Sequence, residues 1–259
     1  MRIISVNVNG IRATAKKGFF TWLADQDADI ICLQEIKAHR DQLVDSIFYP
    51  TGYEHYFFSA EKKGYSGVAV YSKHKPTNVS TGLGWEMADT EGRYLQLDFG
   101  NLSVASIYVP SGTSSTERQE LKYDFLQRYE KILSKQLKES RDYIICGDVN
   151  IVHQEIDIKN WRNNQKNSGC LPEERAWLDK LFNEIGYIDT FREKYPDKIQ
   201  YTWWSNRANS WNNNVGWRID YQLATPGLKD KIIEATVYRE QQFSDHAPLI
   251  VDYDYIISL

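Results

Sequence analysis

The chain has 259 residues, 42% hydrophobic and 25% charged, an ordinary globular composition with room for one large domain or two small ones. A formal net charge of −4 supplies no general basic surplus for nucleic acid, although phosphate binding depends on local fields rather than on the total. Three cysteines without CxxC spacing and five scattered histidines carry no zinc motif, and Cys32, Cys146 and Cys170 read as reduced core residues of a cytosolic protein.

The first strand is expected over residues 2–8. It runs into "VNVNG", which sets Asn7 and Asn9 at its end. A short helix follows over 19–25, then a second strand over 29–34 that ends on Glu35 in "CLQE". A further strand is expected at 67–72. The segment "RYLQLDF-GN-LSVASIYVP" alternates on both sides of Gly100 and Asn101, which predicts a hairpin of strands 94–99 and 102–109. Its second arm ends in "IYVPSG", with Tyr108 and Ser111. A long helix over 120–139 carries the stripe Leu121, Phe125, Tyr129, Ile132, Leu133 and Leu137.

The strand 143–146 leads into "GDVN". There Gly147 is expected to let the chain turn, and Asp148 and Asn150 follow two places apart. "LPEERAWLDKLFNEIGY" reads as a helix with Pro172 at its start and Gly186 at its end. Its buried face is Trp177, Leu178, Leu181, Phe182 and Ile185. The strand 218–224 contains Asp220, and "FSDHAPLIV" sets Asp245 and His246 just before the last strand, 248–253. No repeat, linker, leader or long apolar run interrupts the pattern, so residues 1–259 read as a single catalytic domain, soluble, monomeric and without a membrane partner. The expected location is cytoplasmic, nucleoid-associated in a prokaryote. Hairpins mixed with helical crossovers predict an α/β fold, a four-layer α/β sandwich of two mixed β-sheets packed face to face with helices outside.

Six apolar segments thus carry carboxylates, amides, a phenol or an imidazole at or near one end. Glu35, Asp148 and Asp245, with the amides of Asn7 or Asn9, form a pool of hard oxygen ligands suited to Mg²⁺ or Mn²⁺. Asp220 can pair with His246 and favour its charged form. Charged and polar donors aimed at one point suit metal-assisted attack of water on a phosphate ester. No Walker glycine loop is present.

"SVNVNGIRA", "ADIICLQEIK", "GVAVYSK", "IYVPSG", "GDVNI", "SGCLPEERAWLD", "TWW", "VGWRIDYQL" and "SDHAPLIVDY" occur in this order. From residue 2 to about 253 the chain resembles the exonuclease III family of abasic-site (AP) endonucleases. The resemblance implies a Mg²⁺-dependent hydrolase of DNA repair, with Mn²⁺ as a substitute. It would cut the phosphodiester bond 5′ to an abasic site in duplex DNA and trim blocked 3′ ends. It implies Glu35 as the main metal ligand, Asn7 and Asn9 at or beside the metal, and Asp245 at a second metal position. Asp148 would orient or deprotonate the attacking water. Asn150, Tyr108 and His246 would contact the scissile phosphate, with His246 oriented by Asp220. Trp203, Trp217 and Ile219 would line a slot for the flipped-out, baseless sugar, whose extrusion costs little because it has no base to unstack.

Three acid-free loops suit backbone phosphate contact: "NGIRATAKKG" with Arg12, "KNWRNNQKNS" with Arg162 and Lys166, and "SNRANSWNNNVGWR" with Arg207. One position departs from the family pattern. Ser111 stands where many members carry Asn or Gln, which shortens the reach to a substrate phosphate. Two competing readings are a relative that hydrolyses RNA, lipid or inositol phosphates, and a non-catalytic DNA-binding module.

Overall fold

The longest apolar runs form the inner strands of two sheets in the computed structural model, which describes residues 1–258. The first sheet contains β1 (Arg2–Asn7), β2 (Ile30–Gln34), β3 (Glu54–Phe58), β4 (Val68–Ser72), β13 (Ile232–Val237) and β14 (Leu249–Tyr253). Its order is β13-β14-β1-β2-β4-β3. The second contains β5 (Asn78–Thr81), β6 (Tyr94–Phe99), β7 (Leu102–Tyr108), β8 (Asp142–Asp148), β9 (Ile188–Asp189) and β12 (Asp220–Ala224), ordered β5-β6-β7-β8-β12-β9. A two-stranded ribbon, β10 (Trp203–Trp204) and β11 (Gly216–Trp217), stands apart.

Each sheet has one parallel pair, and each parallel pair needs a crossover. Between β1 and β2 the chain passes through α1 (Ile11–Lys16) and α2 (Phe19–Ala24). The short α3 (Glu86–Thr90) precedes β6, and α4 (Thr116–Gln136) connects β7 to the parallel β8. The remaining helices are α5 (Trp161–Asn164), α6 (Pro172–Lys180) and α7 (Thr190–Lys194).

Period-2 alternation sends neighbouring side chains into different cores. Ile3, Ile30, Cys32, Val70, Leu97, Val104, Ile144 and Cys146 fill the space between the sheets. Ile4, Ile31, Leu33 and Tyr71 point the other way, onto Phe19, Phe20 and Leu23 of α2. Ile107, Ile145, Tyr221 and Leu223 meet Phe125, Tyr129 and Leu133 of α4, with Leu178 of α6. The result is the expected four-layer sandwich. All three cysteines are buried and free. Among the described residues, no helix is long and apolar enough to cross a membrane.

Strand ends converge because of register. Asn7 pairs with Gln34, the neighbour of Glu35. Tyr108 pairs with Asp148, and Asp148 with Asp220. Gly147 departs from expectation. It lies inside β8 rather than at a turn, and a Cβ there would sit 1.9 Å from the Ile107 carbonyl oxygen. The close approach of β7, not chain reversal, requires glycine at this position.

Candidate active site

Asp148 ends β8 and is almost wholly buried. Its Oδ1 accepts the Asn150 backbone N–H at 2.9 Å, and its Oδ2 accepts Asn7 Nδ2 at 2.9 Å. Burial in a site shared with Asp220 and Glu35 raises its pKa to about 7, against the pull of His246 and the Asn7 hydrogen bond.

Asn7 is a bridge between carboxylates. The same Nδ2 group donates to Glu35 Oε2 at 3.0 Å, while its Oδ1 accepts the Asn9 backbone N–H at 2.9 Å. That backbone donor fixes the amide orientation, since the oxygen must face it. Asn9, in the left-handed region at φ 43°, donates its Nδ2 to Asp245 Oδ1 at 2.9 Å. Lys37 Nζ donates to Asn9 Oδ1 and lies 3.4 Å from Glu35 Oε1. Both amide oxygens are occupied by N–H donors, and the two asparagines tie Glu35, Asp148 and Asp245 together.

The imidazole of His246 sits between carboxylates. Its Nδ1 is 2.9 Å from Asp220 Oδ2 and its Nε2 is 3.8 Å from Asp148 Oδ2. Burial opposes its charge, but Asp220 and Asp148 outweigh burial and raise its pKa to about 10. Asp148, Asp220 and His246 form a buried three-donor cluster of the kind that can hold a metal ion. Here an imidazolium already fills that role, as a cation between two carboxylates. Burial raises the Asp245 carboxyl, but His246 and hydrogen bonds from Asn9, Trp203 and Ser244 hold it below its ordinary value. Tyr108 is held protonated by burial and by Glu35 and Asp148, with the Arg93 guanidinium 4.6 Å above its ring.

These groups open into a cavity of about 230 Å³. Glu35, Tyr108, Ser111, Asp148, Asn150, Asp245 and His246 line it together with Trp203, Trp217 and Ile219. The two indoles meet edge to face at 5.7 Å, and Trp203 Nε1 donates to Asp245 Oδ2 at 3.2 Å. Apolar ring surface and carboxylates therefore share one lining. Four carboxylates, Glu35, Asp148, Asp220 and Asp245, face one imidazolium and Lys37. That excess of hard anionic oxygen beside open space fits a small divalent cation that keeps several waters. Glu35 and Asp245 are the carboxylates left for it, since Asp148 and Asp220 are engaged with His246.

The cluster of tryptophans divides. Trp203 faces the cavity, whereas Trp204 is fully buried against Trp211. The expected DNA-contacting cations lie outside the cavity. Arg12 lines a neighbouring groove of about 740 Å³ with Lys16 and Lys37. Lys166 lines a recess that shares Trp203 and Trp217 with the cavity. Arg162, on α5, and Arg207, on its loop, are exposed. Sequence reading assigned no role to Lys37, Thr113, Ser168 or Gly169, which line or support the site. Lys37 stands within the quoted "LQEIK", but nothing local marks its reach to Asn9.

Residues 4–246 match the endonuclease/exonuclease/phosphatase family. The chain is 43% identical over 254 residues to an exodeoxyribonuclease of Bacillus subtilis (strain 168), covering 96% of this chain and 98% of the relative. It is 37% identical over 252 residues to the DNA repair nuclease APEX1 of Danio rerio, covering 96% of this chain and 81% of that protein. Its fold is similar to that of an AP endonuclease from Archaeoglobus fulgidus, with a TM-score of 0.88 and 29% identity over 98% of this chain and 100% of the other.

Proposed function

The chain belongs to the endonuclease/exonuclease/phosphatase family, and from that premise we propose that it is a DNA-repair hydrolase that incises duplex DNA 5′ to an abasic site. It leaves a 3′-hydroxyl and also removes blocking groups and nucleotides from 3′ ends. The observation that carries this reading is the shared cavity. Carboxylates, an imidazolium and the apolar surface of Trp203, Trp217 and Ile219 face the same space. The exodeoxyribonuclease and the AP endonuclease similar to this chain support it.

Glu35 and Asp245 would hold Mg²⁺, for which Mn²⁺ substitutes, and the bound ion supplies positive charge beside the phosphoryl oxygens. Asp148 orients a water and takes its proton. Its raised pKa suits a proton acceptor near neutral pH. The water oxygen forms a bond to phosphorus as the bond from phosphorus to the upstream 3′-oxygen breaks, that oxygen takes a proton from solvent water and leaves as the hydroxyl, and Asp148 returns its proton to solvent. His246, charged at neutral pH, and the Tyr108 phenol donate to the phosphate and stabilise its developing charge. Asn150 adds its amide, and Asp220 holds the imidazole in place.

Trp203 Nε1 is committed to Asp245, so the indole wall offers a sugar apolar contact and no fork for a base edge. Ser111 reaches a phosphate over a shorter distance than an amide side chain. Arg12, Arg162, Lys166 and Arg207 contact the duplex backbone on either side.

Incubation with a duplex carrying one abasic analogue, in Mg²⁺ and in EDTA, tests the reading. A nick 5′ to the lesion that requires the cation is expected. A duplex left intact in Mg²⁺ refutes it.

A further inference from the structure

Beneath the cavity floor, α4 and α6 contribute a lysine and a glutamate that the chemistry above does not use. Lys122 and Glu174 form an ion pair with both side chains fully buried. Such a pair is a poor source of stability, because desolvation of two charges offsets most of their attraction. Its other hydrogen bonds lead to the site. Lys122 Nζ donates to the Asn150 carbonyl oxygen at 2.7 Å. Glu174 Oε2 accepts the backbone N–H groups of Gly169 at 2.6 Å and Leu171 at 3.0 Å. Its Oε1 also accepts Gln119 Nε2 at 3.1 Å, and Gln119 Oε1 accepts the Ser168 hydroxyl at 2.6 Å.

The bond to Leu171 is the ordinary closure of a helix N-terminus. The bonds to Gly169 and Asn150 exceed what capping needs, and both residues line the cavity. Asn150 is held at φ 56°, in the left-handed region that asparagine adopts more readily than other residues with a Cβ. In that conformation its N–H meets Asp148 Oδ1 at 2.9 Å and its Nδ2 meets the Val109 carbonyl at 3.0 Å. Gly169, at φ 90°, is wedged between catalytic strand and sugar wall. A Cβ there would lie 3.0 Å from the Asn150 carbonyl oxygen and 3.1 Å from the Trp217 ring.

We propose that Lys122 and Glu174 are positioning residues. The pair clamps the Asn150 carbonyl and the Gly169 amide together, and so sets Asn150 against Asp148 and the Trp217 wall against both. The proposal rests on the nuclease reading for its kinetic consequence, but the geometry it asserts is measurable without activity.

The test replaces the charges while preserving burial, in the double variant Lys122→Met/Glu174→Leu. Three measurements are made: melting temperature, amide hydrogen exchange at Gly169 and Asn150, and steady-state kinetics (kcat and KM) on the abasic duplex in Mg²⁺. Expected are a folded protein whose melting temperature falls, since the Asn150 carbonyl and the Gly169 and Leu171 amides lose their partners, faster exchange at Gly169, and a kcat reduced about tenfold or more with KM unchanged. A double variant that fails to fold overturns the proposal, since the pair is then a stability element. So does one that folds and keeps both its Gly169 protection and its kcat. A second variant, Glu174→Gln, retains one acceptor and is expected to lose less kcat, again at constant KM; a loss confined to KM overturns positioning. An unmodified protein that leaves the abasic duplex intact refutes the nuclease reading, and the exchange comparison then decides the clamp by itself.

Discussion

His246 Nδ1 lies 2.9 Å from Asp220 Oδ2, with both side chains buried, and this contact determines where the other ring nitrogen points. With Nδ1 donating to Asp220, Nε2 faces the cavity and Asp148 at 3.8 Å. The pairing outweighs the cost of burial, so the ring carries both protons at neutral pH.

In the metal-free protein, His246 is therefore expected to keep both ring protons between about pH 5 and 8, its resonances moving only by the smaller step that Asp148 causes as it titrates near 7. Asp220→Asn should bring a titration into that window, and an unchanged resonance in the variant would remove Asp220 as the cause. The linkage has a definite sign. A histidine pKa raised above its unfolded value of about 6.5 stabilises the fold fully below that pH. The contribution fades as the pH rises through about 10. Urea midpoints across alkaline pH, compared with Asp220→Asn, read it directly.

Asp148→Asn removes the proton acceptor while keeping the side-chain shape. Glu35→Ala removes one of the two carboxylates assigned to the metal. Each is expected to lower kcat by about 10²–10⁴-fold while affinity for the abasic duplex stays near that of the unmodified protein. Near-full activity in Asp148→Asn would take away its assigned role.

Trp203→Ala should reduce abasic incision by about tenfold or more, the scale of one lost apolar contact in a specificity pocket. Removal of a 3′-phosphate, which needs no extruded sugar, should suffer less. The paired assay also controls for the indole hydrogen bond to Asp245. Equal losses on both substrates would argue against a sugar slot.

Arg218, in the link between β11 and β12, pairs with Asp157, and Arg192 meets the same carboxylate. The Arg218 backbone N–H also donates to the Asp157 carbonyl at 2.7 Å, and Ile158 bridges to Trp217. This anchors the basic loop containing Arg162 and Lys166 to the pocket wall. Asp157→Asn removes the carboxylate that Arg192 and Arg218 share, while Arg218 keeps Asp189 at 2.7 Å, and should cost about 1–3 kcal/mol in urea unfolding at neutral pH. Burial raises the Asp157 pKa, but Arg218 and Arg192 outweigh it and hold the carboxyl below its ordinary value. Its stabilisation is thus present above the unfolded value of about 3.9 and is lost as pH falls through the lower folded value. The gap between variant and parent should narrow only in strong acid.

Alanine at Arg162 and at Lys166 should weaken duplex binding alike on every sequence and lower the salt dependence of log K by about one unit each. A slope that stays constant would place those loops away from the phosphates.

The inner strands were legible and the edges were not, for one reason. Strands such as β2 and β4 are buried on both faces and read as unbroken apolar runs. β3, β5 and β13 lie at sheet edges, with exposed or half-exposed residues through "EHYFF", "NVST" and "IIEATV". An edge strand faces solvent and carries polar residues that blur the pattern. The long helix shows the complementary case. Its stripe read as purely apolar, yet Lys122 is fully buried among Phe125, Leu126 and Tyr129, because its partner Glu174 comes from another helix.

Local pattern alone specified the inner strands, the hairpin at Gly100, the main helices and the chemical types gathered at the strand ends. It named the residues of the site through the motifs they sit in. Tertiary structure decided what those residues do to one another. The two amides turn their nitrogens toward the carboxylates, His246 takes a proton that an isolated imidazole would lose, and Gly147 answers a neighbouring strand rather than a turn. The physical reason is range. Backbone propensity acts over a few residues, whereas the field and the hydrogen bonds at Asp148 come from Asn7, 141 positions away, and from His246 beyond the last helix. Only the strand order brings them within a few ångströms.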